Sequence, residues 1–203
     1  EVAQWFPRVA VYDDVQGWNT MPYLGAGEFY LEYGDIEFNI TAPSDLIIVG
    51  SGELLNTKDC YTAEQVKRWE AAVKSNTTVA IRSEGEVGKP NSRPAAAELS
   101  WKFKITNTRD AAWAASKAFI IDAAKIDLPS GKKCMAVSAY PAESVKKDGW
   151  QLSTEMVKGS IEHYSSKWFE FPYPVATNVA GIVGGMEYPG IVFCSWESTG
   201  TGL

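Results

Sequence analysis

Strict alternation of apolar and polar residues between positions 99 and 106 is the pattern that most constrains the fold of this 203-residue chain. Apolar side chains occupy every second position, and these are Leu99, Trp101, Phe103 and Ile105. Successive side chains of a strand point to opposite faces of a sheet, so the pattern predicts an amphipathic strand with one face in a core. An aromatic content of 12% also favours β structure, because aromatic side chains suit pleated, half-buried surfaces.

Shorter patterns predict further strands and two helices. The predicted strands are a hairpin over residues 28–42 and single strands at 46–49, 77–82, 118–122 and 133–140. A helix is expected over residues 62–74, since Thr62 and Gln65 have the spacing of a capping box. A second helix is expected over residues 149–168, where the apolar anchors are Leu152, Met156 and Tyr164.

The change from period-two to helical patterning after Gly149 predicts two domains. An antiparallel β domain, a sandwich or saddle-like sheet structure, is expected over residues 1–140. A smaller α+β part is expected over residues 141–203, with a helix followed by strands. The polar segment 141–148 suits a linker between them. The predicted fold class is therefore mainly β with an α+β C-terminal part.

Charge and hydropathy exclude several classes of partner. The net charge is −6 and no basic patch dominates, which argues against nucleic acid, because phosphate neutralisation needs clustered Lys and Arg. No apolar run is long enough to span a bilayer. Residues 1–5 show neither the basic start nor the long apolar core of a signal segment, so the sequence leaves the compartment open.

Few residues have the spacing of metal ligands. The chain has three widely separated cysteines, Cys60, Cys134 and Cys194, which are expected to be free, buried thiols. His163 is the only histidine, whereas a catalytic zinc normally takes three protein ligands, so a polar helix histidine is the favoured interpretation. Asp13 and Asp14 could contact a calcium ion, but no spaced set of acidic ligands accompanies them, and a solvated turn is favoured.

The segment from Gly184 to Gly190, G-G-M-E-Y-P-G, is the strongest candidate for a functional site. It lies between the apolar, strand-like runs 179–183 and 191–193. Glycines without a Cβ let another backbone approach closely, and a carboxylate can bind a terminal ammonium. The segment therefore predicts a strand rim that holds an extended peptide through Gly184, Gly185, Met186 and Glu187. The alternative is an ordinary Gly-Gly turn with Glu187 as a rim residue.

The same segment resembles the G-x-M-E element of the gluzincin zinc metallopeptidases of the aminopeptidase N family. The preceding helix at 149–168 and the turn F-P-Y-P at 171–174 follow the family's order. W-F-P-R at 5–8 and Y-G-D at 33–35 are similar to the second half of the family's N-terminal β-domain. The resemblance implies that residues 1–140 correspond to that half and residues 141–203 to the start of a thermolysin-like catalytic domain.

In that family the glutamate binds the free α-amino group of the substrate, and the glycine-rich backbone pairs with the peptide main chain. The resemblance thus implies a zinc-dependent aminopeptidase that removes N-terminal residues from peptides. Tyr188 stands where the family usually has Asn. The family's H-E-x-x-H motif is absent from the sequence, so zinc is expected in a longer parent, and no catalytic or metal residue is assigned here. The alternative is a stand-alone, non-catalytic β-rich module that binds peptides or glycans.

Overall fold

The computed structural model describes residues 1–25, 29–147 and 149–197. Its strands are β1 (Tyr12–Asp13), β2 (Gly17–Trp18), β3 (Gly34–Pro43), β4 (Ile47–Gly50), β5 (Glu53–Leu54), β6 (Val79–Arg82), β7 (Glu98–Thr108), β8 (Trp113–Ser116), β9 (Ile120–Asp127), β10 (Lys133–Tyr140), β11 (Val175–Gly181), β12 (Met186–Tyr188) and β13 (Ile191–Ser195). Its α-helices are α1 (Thr57–Cys60), α2 (Ala63–Ala72) and α3 (Ser153–Lys167). Short 3₁₀ turns occur at Glu84–Glu86, Pro90–Ser92, Ala142–Lys147 and Trp150–Leu152.

The alternation at residues 99–106 does form a half-buried strand. In β7 the apolar side chains predicted to face inward are all buried, and Ser100, Lys102 and Thr106 are exposed. β7 lies between β3 and β5 in an antiparallel three-stranded sheet. Phe103 stacks on Phe38 of β3 with ring centroids 5.1 Å apart. The prediction for this strand is confirmed. It succeeds because the alternation of apolar and polar residues follows the alternation of buried and exposed positions along the strand.

A six-stranded mixed sheet carries the C-terminal part of the chain, in the order β12-β13-β11-β10-β9-β6. β10 and β11 are parallel, and α3 connects them. Val157 and Ile161 of α3 pack on the face of the sheet that holds Ile126, Cys134 and Ala136. The opposite face contributes Val137, Val179 and Phe193 to the same core as β3 and β7. A mainly β fold with an α+β C-terminal part, as predicted, is therefore confirmed.

The hairpin predicted over residues 28–42 is wrong. Its second half is a strand, but β3 pairs antiparallel with β7, with Ile36 opposite Ile105. Residue 28 lies outside the described residues, and Leu31 forms an isolated bridge with Ala10. The local pattern identified a strand correctly, but the paired residues of its partner strand lie 55 to 74 positions further along the chain.

The two predicted helices are present, and the capping box of the first is confirmed. Thr62 Oγ1 accepts a hydrogen bond from the Gln65 amide, and the Gln65 side chain accepts one from the Thr62 amide. The apolar anchors predicted for the second helix are wrong. Leu152, Met156 and Tyr164 are exposed, while Ser153, Thr154 and Ser165 are buried. Small polar side chains let α3 approach the sheet, and Thr154 hydrogen-bonds Ser138 at 2.8 Å.

The hydrogen bonds of the six-stranded sheet cross the predicted domain boundary at residue 140, because β10 on one side of it pairs with β11 on the other. Position 148 of the predicted linker lies outside the described residues. The boundary itself stays a prediction. Among the described helices, none has the length and apolar character needed to cross a membrane.

Asp122 of β9 and Tyr140 of β10 form a buried pair on the six-stranded sheet, next to the segment that contains Trp150. The Tyr140 hydroxyl donates a hydrogen bond to the Asp122 carboxylate, and the Tyr140 and Trp150 rings lie 5.9 Å apart. Burial raises the pKa of Asp122 above its ordinary value of 3.8, and the Tyr140 hydrogen bond opposes that rise. The folded chain therefore holds the Asp122 proton more tightly than the unfolded chain does.

We expect Asp122→Asn to change the pH dependence of stability in a defined direction. A raised pKa contributes stability that is complete below pH 3.8 and is lost as the pH rises through the folded-state value. An amide does not ionise, so the variant should gain stability relative to the wild type between pH 4 and pH 7. Urea unfolding across this range measures the difference, and Asp14→Asn, at an exposed position, is the matched control. A difference that stays constant with pH would contradict the assignment.

Candidate functional site

The predicted binding segment forms an edge of the six-stranded sheet. β12 pairs antiparallel with β13 on one side, with Met186 opposite Phe193 and Glu187 opposite Val192. No strand of the described residues pairs with its other side. An unpaired strand edge presents a row of free backbone N–H and C=O groups, which can bind an extended peptide as an added strand. The structure thus places Met186 and Glu187 where backbone recognition is open to a ligand.

A tight turn holds this edge strand in place. Pro189 and Gly190 connect Tyr188 to Ile191, and Gly190 has a φ of +72°. Proline followed by a glycine with positive φ is typical of a type II turn. The Gly190 carbonyl accepts a hydrogen bond of 2.9 Å from the Thr177 amide, which ties the turn to β11. A Cβ at Gly190 would lie 3.2 Å from the Val175 carbonyl oxygen, so the turn lies directly against the sheet.

The residues of the segment that precede Tyr188 are exposed to solvent at the rim of the sheet. Gly184, Gly185, Met186 and Glu187 are all exposed. Gly185 has a φ of +155°, and a Cβ there would lie 3.9 Å from Glu187 Oε1. Tyr188 is half-buried and packs edge-to-face on Phe193, with the centroids 6.0 Å apart. This aromatic contact fixes the end of β12 while the carboxylate before it stays accessible.

Glu187 lies on the wall of a small cavity of about 80 Å³. The cavity is lined by residues from four separate stretches of the chain: Gln4, Arg8, Phe29, Leu31, Arg109, Asp110, Met186, Glu187, Tyr188 and Pro189. Arg8 and Asp110 form an ion pair of 2.5 Å with both side chains about nine-tenths buried. Arg8 also lies 4.4 Å above the centre of the Phe29 ring. These contacts fix the wall opposite the edge strand.

Sequence reasoning missed the contribution of Arg8, Arg109 and Asp110 to this site. Arg109 is exposed on the cavity, and within the described ranges neither it nor Glu187 has an ion-pair partner. Arg8 lies in the W-F-P-R stretch that carries part of the family resemblance, and this stretch is the one sequence feature that could have pointed to Arg8. Nothing in the sequence pattern connects Arg109 with Glu187, because the fold alone brings these distant positions to one cavity.

Cys194 lies on β13, half-buried beside the candidate site. Burial raises the pKa of the Cys194 thiol, and the negative charge of Glu187 raises it further. The thiol is therefore protonated near neutral pH and is a poor nucleophile, since the thiolate is the reactive form. Cys60 and Cys134 are buried and free, as predicted.

Metal-ligand chemistry is not assembled in the described part of the chain. Within residues 1–25, 29–147 and 149–197, no group of three or more His, Cys, Asp or Glu side chains could hold a metal ion. His163 is exposed on α3, where it contacts Tyr164 edge-to-face. Asp13 accepts hydrogen bonds from the Val15 and Gln16 amides, and so forms the turn expected there. The residues that the structure describes therefore do not fit a zinc ion.

No protein-family model and no curated protein sequence matches the chain. Solved structures do match. A mutant M1 zinc metallopeptidase from Deinococcus radiodurans, bound to a Tyr-Ser-Ala substrate, aligns with a TM-score of 0.51 and 11% identity over 83% of this chain and 32% of that one. The aminopeptidase A of Legionella pneumophila in complex with aspartic acid aligns with a TM-score of 0.48 and 11% identity, over 80% of this chain and 16% of that one.

The first of these alignments shows a distant likeness of fold to the M1 zinc metallopeptidases. At 11% identity it carries no information about substrate or mechanism. The chain spans about a third of the length of that Deinococcus structure. The expectation of a peptidase-like, mainly β fold is confirmed at this level, and the assignment of site residues stays a prediction.

Proposed function

We propose that the chain is part of a longer zinc-dependent aminopeptidase, in which it supplies the strand that anchors the substrate. The observation that carries this proposal is the position of β12 at the edge of the sheet, where no strand of the described residues lies on its outer side and the carboxylate of Glu187 is exposed. An extended peptide would add to the edge through backbone hydrogen bonds, and its terminal ammonium would bind the carboxylate. The likeness of fold to M1 zinc metallopeptidases supports the class.

In this proposal each residue of the segment has a distinct role. Gly184 and Gly185 leave space for the peptide backbone, since no atoms of a side chain stand in its way. Met186, which is partly exposed, contacts the substrate beside the cavity. Glu187 binds the free α-ammonium. Residues 1–140 are proposed as a β domain and residues 141–203 as the start of the catalytic domain, whose zinc ligands come from elsewhere in the longer polypeptide.

The chain and the longer polypeptide should behave differently towards zinc and substrate. We expect the 203-residue chain to bind no stoichiometric zinc in equilibrium dialysis and to leave alanyl reporters uncleaved, because its described residues assemble no ligand set. The longer polypeptide should bind about one zinc per chain and should release the N-terminal residue from peptides with a free amine. N-acetylated peptides should be poor substrates.

The outcomes separate the proposal from its alternative. Tight, tetrahedral zinc binding by the 203-residue chain would contradict the placement of the metal site elsewhere. A longer polypeptide that binds peptides but neither holds zinc nor cleaves them would instead support the non-catalytic binding module.

A further inference from the structure

The cavity beside the edge strand contains one ion pair and two charged side chains that form no ion pair within the described residues. Arg8 and Asp110 neutralise each other at 2.5 Å, with side-chain exposures of 11% and 9%. Arg109 and Glu187 line the same cavity, but they do not form an ion pair with each other or with any other described residue. Within the described residues, the lining of this cavity of about 80 Å³ therefore includes one cation and one anion that no ion pair neutralises.

Such a charge arrangement is complementary to a ligand that carries an ammonium and a carboxylate a few bonds apart. A guanidinium presents donors in a planar fork that matches the two oxygens of a carboxylate. Arg8 cannot take this role because Asp110 and the Phe29 ring already occupy its charged end. Arg109 is exposed, and within the described ranges no ion pair engages its guanidinium, so its donors can bind a ligand.

The wall that holds these charges is built with local strain. Gln4 lies on the cavity and has a φ of +53°, a left-handed conformation that is unfavourable for a residue other than glycine. Such conformations persist only where surrounding contacts enforce them, and they concentrate at binding sites. The neighbouring Trp5 supplies such a contact, because its indole N–H donates a hydrogen bond of 3.0 Å to the Ala111 carbonyl next to Arg109 and Asp110.

We propose that Arg109 binds a carboxylate of the substrate whose α-ammonium lies on Glu187, and that it makes the site selective for such zwitterionic substrates. This inference rests on the proposed function and adds a substrate class to it. The carboxylate has two possible sources in a peptide. It is either the side chain of an N-terminal Asp or Glu, or the C-terminus of a very short peptide.

The test uses the longer polypeptide with isosteric reporters. Wild-type enzyme and Arg109→Gln are compared on glutamyl and glutaminyl reporter amides, which differ in charge but hardly in shape. Losing a hydrogen bond to a charged group should lower kcat/KM on the glutamyl reporter about tenfold to a hundredfold relative to the glutaminyl reporter. Removing the substrate charge and removing Arg109 should each lower kcat/KM. The two reductions should not add, because each change removes the same interaction.

Three further arms complete the design. Ala-Gly and its C-terminal amide test the other source, since a loss confined to the free acid assigns Arg109 to the peptide C-terminus. Lys89→Gln, at an exposed position outside the cavity, is the matched control for loss of one positive charge. Arg109→Lys should restore part of the discrimination, because it keeps the charge without the planar fork. Circular dichroism and a thermal melt of each variant confirm folding.

The results distinguish this inference from the proposed function. One outcome is that cleavage of neutral reporters depends on Glu187 while Arg109→Gln affects charged and uncharged substrates equally. That outcome would overturn the role of Arg109 but would leave the proposed aminopeptidase function standing. Failure to cleave any reporter with a free amine would overturn both.

Discussion

Trp101→Ala is expected to destabilise the chain by about 3–5 kcal/mol, the cost of truncating a fully buried aromatic residue. The Trp101 side chain is 0% exposed, and its ring meets the Tyr61 ring edge-to-face at 5.4 Å. The Arg93 guanidinium lies 5.6 Å from the same ring. The substitution would leave a cavity between β7 and these groups, and the well-packed surroundings could close it only in part. Urea unfolding followed by fluorescence or circular dichroism measures the loss.

Two variants make this result specific. Trp168→Ala removes the same side chain from the residue that follows α3, where Trp168 is 75% exposed and stacks on Tyr164. Its cost should stay within about 1 kcal/mol. Trp101→Phe keeps an aromatic ring in the core and should lose less than Trp101→Ala, since the Trp101 indole nitrogen has no hydrogen-bond partner within the described residues. Equal losses for Trp101→Ala and Trp168→Ala would contradict the position of β7 in the core.

Trp101 also illustrates which part of the fold could be predicted from the sequence. The period-two pattern of β7 and the capping box of α2 were read correctly, because each depends on residues within a few positions of one another. The hairpin at 28–42 was wrong because strand pairing depends on distant residues, and β3 pairs with β7. No local pattern distinguishes those two arrangements.

The helix α3 was located correctly but its buried face was not. Large apolar residues usually mark the buried face of a helix. In α3 the fully buried positions are small and polar, and Ser153 and Thr154 face the sheet while Met156 is exposed. The hydroxyl of Thr154 donates a hydrogen bond to the hydroxyl of Ser138 in β10. A pattern of hydrophobicity contains no information about this hydrogen bond. The face of α3 that meets the sheet therefore combines small polar side chains with the apolar Val157 and Ile161.

The candidate site was predictable only in part, for the same reason. The sequence pointed to residues 184–187, and the sheet order places Met186 and Glu187 on an edge strand. The rest of the cavity lining comes from residues between Gln4 and Leu31 and from Arg109 and Asp110. That part of the lining depends on where the fold brings these distant segments together, and a linear motif contains no information about it.

Glu187→Gln in the longer polypeptide should lower kcat/KM on substrates with a free N-terminus by about tenfold to a hundredfold. A carboxylate makes a charge-assisted hydrogen bond with a terminal ammonium, and an amide cannot replace it. Loss of such a bond costs about 1.5–3 kcal/mol, and about 1.4 kcal/mol corresponds to a factor of ten in rate. Because Glu187 is exposed, the substitution should leave the fold intact, which a thermal melt would verify. Glu155→Gln, at an exposed position of α3, is the matched control.

A cycle of two enzymes and two substrates assigns this loss to one contact. Acetylating the substrate removes the ammonium, so wild-type enzyme should lose the same factor on the blocked peptide that Glu187→Gln loses on the free one. The doubly altered combination should be no worse than either single change, because both remove the same interaction. Additive losses would mean that the carboxylate and the ammonium act separately. Equal activity of wild type and Glu187→Gln on free-amine substrates would show that Glu187 does not bind the substrate amine. The edge strand β12 would then support peptide binding without specificity for a free N-terminus.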